Sequence, residues 1–312
     1  MTGPAVVALG GGHGLYASLS ALKLVSDEIT AVVTVADNGG SSGRLRDEFD
    51  VLPPGDLRMA LSALCEDSEW GHTWRDVLQH RFRGDGPVGG HALGNLLIVA
   101  LWELNRDPVA GLDLVGRLLN ARGRVLPMAA VPLEIEAEVQ GHDLRRPAEV
   151  TTVRGQVAVA STEGRVHSIT LDPADPPAPP ATVQAVLDAD WVILGPGSWF
   201  TSVMPHLMVP SLRAALHDTP ARRLLTLNVE HSGETAGFSA ANHLEVLADH
   251  APRLKLDVVL ADPGAVDDEE ALRAAAARLG AEVVVAPVAK RRHPGHHDSL
   301  RLAAAYRDIL GA

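Results

Sequence analysis

The chain has 312 residues, 46% hydrophobic and 21% charged, enough to bury the core of one large α/β domain or of two small ones. Its formal net charge of −12 gives the surface the wrong sign for a phosphate backbone, so nucleic acid is not expected as a partner. A single cysteine, Cys65, excludes an intramolecular disulfide, and the first apolar run is too short for a signal core or membrane span, so a cytoplasmic protein without integral membrane contact is expected.

Ala5 to Leu9 (AVVAL) is a continuous apolar run that ends in Gly10, Gly11 and Gly12. Leu15, Leu19 and Leu22 follow at helical spacing, which predicts strand, tight turn and helix. Ile29 to Val35 (ITAVVTV) is a second buried strand that stops at Asp37 to Gly43, so the chain opens with a βαβ unit. Helices are predicted at Leu57 to Cys65, Trp70 to Phe82 and Leu93 to Leu104, and the last is apolar nearly all round, as a buried helix is. From Arg124 to Leu171 short runs such as Leu133 to Val139 (LEIEAEV) alternate apolar and acidic residues, the pattern of a small antiparallel insertion. Asp172 to Pro180 (DPADPPAPP) is too proline-rich for a helix or central strand and reads as an extended connector.

Trp191 to Leu194, Leu224 to Asn228, Leu256 to Leu260 and Glu282 to Val285 then alternate with helical stretches. The expected fold is α/β and Rossmann-like, a doubly wound, mostly parallel sheet with a small antiparallel β insertion. Residues 1–123 and 172–312 are read as the two halves of a nucleotide-binding domain, and 124–171 as the insertion.

Every glycine-rich signal falls at a strand end, where doubly wound sheets bind ligands. Gly10, Gly11, Gly12 and Gly14 surround His13 and let backbone N–H groups and a helix N-terminus face an anion; the alternative is a tight turn and nothing more. The dinucleotide fingerprint fails because Leu15 takes the third glycine position, and there is no Walker lysine. That argues against a dinucleotide-dependent oxidoreductase and a P-loop NTPase. Asp37 closes the second strand, where related folds set an acid on a ribose hydroxyl, and Asn38, Gly39, Gly40, Ser41, Ser42 and Gly43 follow it; an Asx turn is the alternative for Asp37.

Asp56, in PGDLR, reads either as the N-cap of a helix or as a carboxylate near Asp37 able to hold Mg²⁺ between phosphate oxygens. Asp37 and Asp56 are thus the candidate catalytic pair. Asn95 is an amide in an apolar helix and must find a partner, either a ligand or a backbone carbonyl. Gly195, Pro196, Gly197 and Ser198 follow the strand WVIL as a second anion cradle, with Thr201 and Ser202 able to cap the next helix. Two cradles on one sheet edge favour a diphosphate. His293, His296, His297 and Asp298 sit beside Lys290, Arg291 and Arg292, whose charge disfavours a metal; anion contact or a solvated loop remains, and no metal site is expected.

Taken in order, ALGGGHG (Ala8 to Gly14), VADNGGSSGRLR (Val35 to Arg46), PPGDLR (Pro53 to Arg58), LGN (Leu93 to Asn95), ILGPGS (Ile193 to Ser198), GET (Gly233 to Thr235) and HHD (His296 to Asp298) resemble the YvcK-like gluconeogenesis factors. These belong to the superfamily of the 2-phospho-L-lactate transferase of coenzyme F420 synthesis, the CofD-like proteins. The resemblance implies binding of a nucleotide sugar of the UDP-N-acetylglucosamine type and a regulatory role in carbon-source adaptation, cell wall and cell shape. It places Gly11, Gly12, Asp37, Asn38, Ser41, Asn95 and Gly195 to Ser198 around the ligand, and Asn228 joins them as a candidate.

Transferase relatives carry further acids after the strand-end aspartate, where this chain has Asn38, Gly39, Gly40 and Ser41, which favours binding over catalysis. Asn228, Val229, Glu230, His231 and Ser232 stand where the family more often shows Thr-Gln-Pro. The alternative is a Mg²⁺-dependent 2-phospho-L-lactate transferase-like enzyme acting on a deazaflavin acceptor. A homo-oligomer is expected.

Overall fold

The computed structural model describes residues 3–143, 145–230, 233–293 and 295–311. The strands are β1 (Val6–Gly10), β2 (Ile29–Val33), β3 (Arg124–Pro127), β4 (Glu134–Gln140), β5 (Val150–Arg154), β6 (Arg165–Asp172), β7 (Trp191–Leu194), β8 (Arg222–Thr226), β9 (Val258–Ala261) and β10 (Glu282–Val285). The helices of the first half are α1 (Gly12–Leu22), α2 (Gly40–Phe49), α3 (Pro54–Leu64), α4 (Glu69–Gln79), α5 (Leu93–Asn105) and α6 (Pro108–Leu118). Those of the second are α7 (Gln156–Ala160), α8 (Pro180–Leu187), α9 (Pro210–Asp218), α10 (Ala240–His250), α11 (Glu269–Leu279) and α12 (Ser299–Leu310).

Seven parallel strands form one sheet in the order β10-β9-β8-β7-β1-β2-β3. All residues of β1, β7 and β9 are buried, the continuous apolar run that a strand covered on both faces requires. Helix α1 packs against α3 and α12, and α8 packs against α9. Tyr306 of α12 ties the fold together at one point, its hydroxyl lying 3.0 Å from Ser18 Oγ on α1 and 3.1 Å from Thr226 Oγ1 on β8. No helix among the described residues is long and apolar enough to cross a membrane.

The second sheet has three antiparallel strands in the order β5-β4-β6. In β4 Ile135, Ala137 and Val139 are buried while the glutamates between them are partly exposed, the period-2 pattern seen in the sequence. Strand β3 does not belong to this insertion, although Arg124 was the expected boundary: Arg124 to Pro127 pair in parallel with Thr30 to Val33 at the edge of the main sheet. Val125, Leu126 and Pro127 are buried, and such a run reads equally well as either kind of strand until its partner is known.

Helix α5 is not buried all round either. Asn95, Ile98, Val99 and Trp102 face inward, whereas Leu104 is 80% exposed. Leu104 lies on the outward face, opposite the inward stripe, so an apolar sequence here exceeds the surface that covers it.

Candidate functional site

Strand β1 is the point at which the sheet changes direction, with β2 and β3 on one side and β7 to β10 on the other. A crevice opens at such a switch point, beyond the carboxyl ends of the two diverging strands. Here those ends carry Gly10 to Gly14 and Gly195 to Ser198, and the two turns touch. A Cβ on Gly14 would collide with Pro196 O and stand 2.7 Å from Gly197 Cα, and one on Gly197 would stand 3.7 Å from Gly11 O. Gly12 opens α1 at φ +55°, a left-handed conformation costly for other residues, and the space where its Cβ would be is open to 4 Å. The first turn therefore presents the N-terminal end of an 11-residue helix to the crevice.

The second turn is more occupied than the sequence suggests. The Gly197 N–H donates to Asn228 Oδ1 at 2.9 Å and Asn228 Nδ2 returns a bond of 2.9 Å to Gly197 O, so the Asn228 amide holds the turn in shape. The turn leads into a single π-helical turn, Trp199–Val203, expected to be capped by Thr201 and Ser202. Instead the Glu234 carboxylate reaches across: Phe200 N–H donates to Oε1 at 2.9 Å, with the Trp199 and Thr201 N–H groups directed at the same carboxylate. Glu234 is 5% exposed, and burial pushes its carboxyl up to about 7 against the pull of those donors. Ser198 remains exposed at the lip.

On the other side of β1 a cavity of about 390 Å³ is lined by Asp37, Gly39, Gly40, Ser41, Ser42, Gly55, Asp56, Arg58, Met59, Arg81 and Asn95. Asp37 Oδ1 accepts the Gly39 N–H at 2.9 Å, the Asx turn, which leaves Oδ2 toward Gly55. Asp56 is not an N-cap. Pro53 occupies that position, and Asp56 sits in the first turn of α3, where its carboxylate accepts the Gly12 N–H and lies beneath Gly11. Burial, then the Asp37 charge, push the Asp56 carboxyl up to about 7. The two candidate carboxylates are therefore neighbours. Among the described residues no group of three or more His, Cys, Asp or Glu could hold a metal.

Asn95 finds neither a backbone carbonyl nor empty space. It accepts from Arg58 Nε at 2.9 Å and donates to Ser41 Oγ at 2.9 Å, and Ser41 Oγ lies 3.0 Å from His91 Nδ1. Burial, then the nearby Arg44 charge, lower the His91 pKa. Asn38 turns outward, its Oδ1 accepting the Val157 N–H of α7 at 3.2 Å. Helix α7 also packs against Trp199–Val203, so the insertion spans both sides of the crevice.

Sequence reasoning missed Arg58, Arg81, His91 and Glu234 as site residues. Arg58 and Glu234 were in view within PPGDLR and GET, but one sequence does not show where such residues point. His297 is buried, its Nε2 donating to Leu227 O at 3.2 Å, while Asp298 caps α12, so neither is arranged for a metal. His231 and Ser232 lie outside the described residues.

The family model of 2-phospho-L-lactate transferase CofD matches residues 6–300. A Mycobacterium tuberculosis (strain H37Rv) relative is 55% identical over 303 residues, 96% of this chain and 88% of its own length. The gluconeogenesis factor of Halalkalibacterium halodurans is 36% identical over 281 residues, 90% of this chain and 83% of the relative. That of Bacillus subtilis is 35% identical over 267 residues, 85% of this chain and 81% of the relative. A crystal structure of a UPF0052 family member from Bacillus halodurans superposes with a TM-score of 0.87 at 32% identity, covering 98% of this chain and 99% of that one. The chain belongs to the CofD-like family, among its YvcK-like gluconeogenesis factors.

Proposed function

We propose that this protein is a cytoplasmic regulatory factor that binds a nucleoside diphosphate sugar of the UDP-N-acetylglucosamine type between β1 and β7, without turning it over. The observation that carries the reading is the contact between the two glycine turns at the switch point, with the Gly12 end of α1 open toward the crevice. A helix N-terminus with unshielded backbone is a natural seat for a diphosphate. Asp37 lines the neighbouring cavity on the other side of β1 and suits the hydroxyls of a ribose or sugar. The occupied amides of the second turn make it a wall that shapes the guest more than a second anion nest. Ligand occupancy would be read by partners that govern carbon-source use, cell wall and cell shape.

Calorimetry on the full chain against UDP-N-acetylglucosamine, UDP-glucose, GDP and NADP⁺ tests this. A UDP-sugar is expected to bind most tightly, and silence with all four ligands removes the proposal.

One observation favours a transferase as the second reading: Asp37 and Asp56 are adjacent, and their carboxylates fit two of the oxygen positions around a Mg²⁺, phosphate oxygens and water supplying the others. Bound there, Mg²⁺ would neutralise charge on a transferring phosphoryl group. Asp56 has to be ionised to serve, so Mg²⁺-dependent turnover of a phospholactate donor with a deazaflavin acceptor should rise as pH passes about 7. Asp56→Asn should abolish that turnover, and full activity in this variant would refute the reading.

A further inference from the structure

The helices on one face of the sheet leave a hollow that the crevice does not use. Right-handed crossovers from β7 to β8 and from β8 to β9 set α9 and α10 on the same face. Helix α9 packs on α8 and α10 packs on α11, and between α9 and the end of α10 lies a cavity of about 580 Å³. That volume suits a small organic molecule, and clefts between helices are common places to bind one. Leu207, Leu216 and Leu254, all buried, form its floor. Pro210, Arg213, Ala214 and His217, at positions i, i+3, i+4 and i+7, line one wall from a single face of α9. Arg253 lines it from the loop that follows α10.

The charges at the rim run against the chain's net −12. The Arg213 guanidinium has no hydrogen bond or ion pair among the described residues. Arg253 Nη2 donates to His217 Nε2 at 3.1 Å, and His217 Nδ1 donates to Asp218 Oδ1 at 2.9 Å. An imidazole that accepts at one nitrogen and donates at the other is neutral, so Arg253 keeps its charge without an ion pair. Helix capping does not account for the two arginines. Arg223 already takes the carbonyls at the end of α9, Leu216 O at 2.8 Å and Thr219 O at 2.9 Å, and near the end of α10 His250 Nδ1 donates to Val246 O at 2.9 Å.

We propose that this hollow is a second ligand site, which takes a small organic anion: the carboxylate or phosphate group lies between Arg213 and Arg253, and the carbon body rests on the leucine floor. A guanidinium forks onto either group with two parallel hydrogen bonds, so the recognition chemistry is common to both. The apolar floor favours an organic body over a bare ion. The hollow shares no residue with the glycine turns or with the cavity beside Asp37, and the inference does not depend on the nucleotide-sugar reading.

Calorimetry on the full chain with citrate, glucose 6-phosphate and inorganic phosphate tests it. Citrate or glucose 6-phosphate should bind, and Arg213→Gln and Arg253→Gln should each weaken that binding by about tenfold, the size expected for one charged hydrogen-bonding partner. Both arginines are exposed, so without ligand these variants should melt with the wild type. Ala214→Trp fills the hollow, leaves both charges in place and should abolish binding. Binding of citrate alone assigns the site to carboxylates, and of glucose 6-phosphate alone to phosphate esters. Failure of both to bind, or affinities unchanged in the two arginine variants, overturns the proposal, as does inorganic phosphate binding as tightly as either organic anion with the same dependence on the arginines. If UDP-N-acetylglucosamine fails to bind while an organic anion binds through Arg213 and Arg253, the earlier reading falls and this one stands.

Discussion

Gly14→Ala is expected to lower the melting temperature and to abolish ligand binding at the crevice, against what helix propensity alone forecasts. Gly14 lies within α1, and in an ordinary helix interior alanine is better than glycine by roughly 0.5–1 kcal/mol. The added methyl, however, would meet Pro196 O and stand 2.7 Å from Gly197 Cα, all backbone atoms that no rotamer change can move. Overpacking of this kind costs about 1–3 kcal/mol. The contact outweighs the propensity, and relief comes only by pushing the two glycine turns apart. A fall of about 2–4 °C per kcal/mol is expected by thermal unfolding. A variant more stable than the wild type would mean that the turns do not touch.

Glu234→Gln should separate from the wild type progressively as pH rises. The folded carboxyl is held at about 7, above its ordinary 4.5, so the folded state binds more protons than the unfolded one between those values. The stability it contributes is complete below about 4.5 and is lost as pH rises through about 7. Glutamine keeps an oxygen for the Phe200 N–H and carries no charge. The two proteins should melt together at pH 4, and at pH 8 the variant should melt higher by several degrees, about 3 kcal/mol for a carboxyl held at about 7 in place of 4.5. His206 and His297, whose pKa values burial depresses to about 4, tilt stability the other way below 6.5, which is why the difference between variant and wild type is the quantity to measure. A constant gap across pH would mean that Glu234 ionises freely.

Much of the sheet could be read from the chain because buried parallel strands write themselves as unbroken apolar runs, and AVVAL and WVIL ended where the glycines began. The adjacency of the two turns followed from the topology of such sheets. Strand β3 escaped because RVLP is short and its hydrogen-bonding partner lies some 90 residues upstream, as the pairing of Leu126 with Val32 shows. Of the two readings of Asp56, the carboxylate near Asp37 agrees with the structure, and the cap does not, because proline at the start of α3 moves the cap back to Pro53. Arg58 and Glu234 were out of reach for a common reason: each acts through a partner on a distant element, Asn95 and Phe200, and a charge in a sequence gives no hint of what it faces after folding.

The insertion fastens to the main sheet at two banks rather than one. Asn38 grips the start of α7, while the end of that helix, at Ala160 O, lies against Gly233 beside Glu234. A brace fixed across a gap cannot follow one side alone. Any widening or narrowing of the gap by a guest must tilt α7 and the three strands behind it together, so the outer face of that small sheet becomes a gauge of what lies inside.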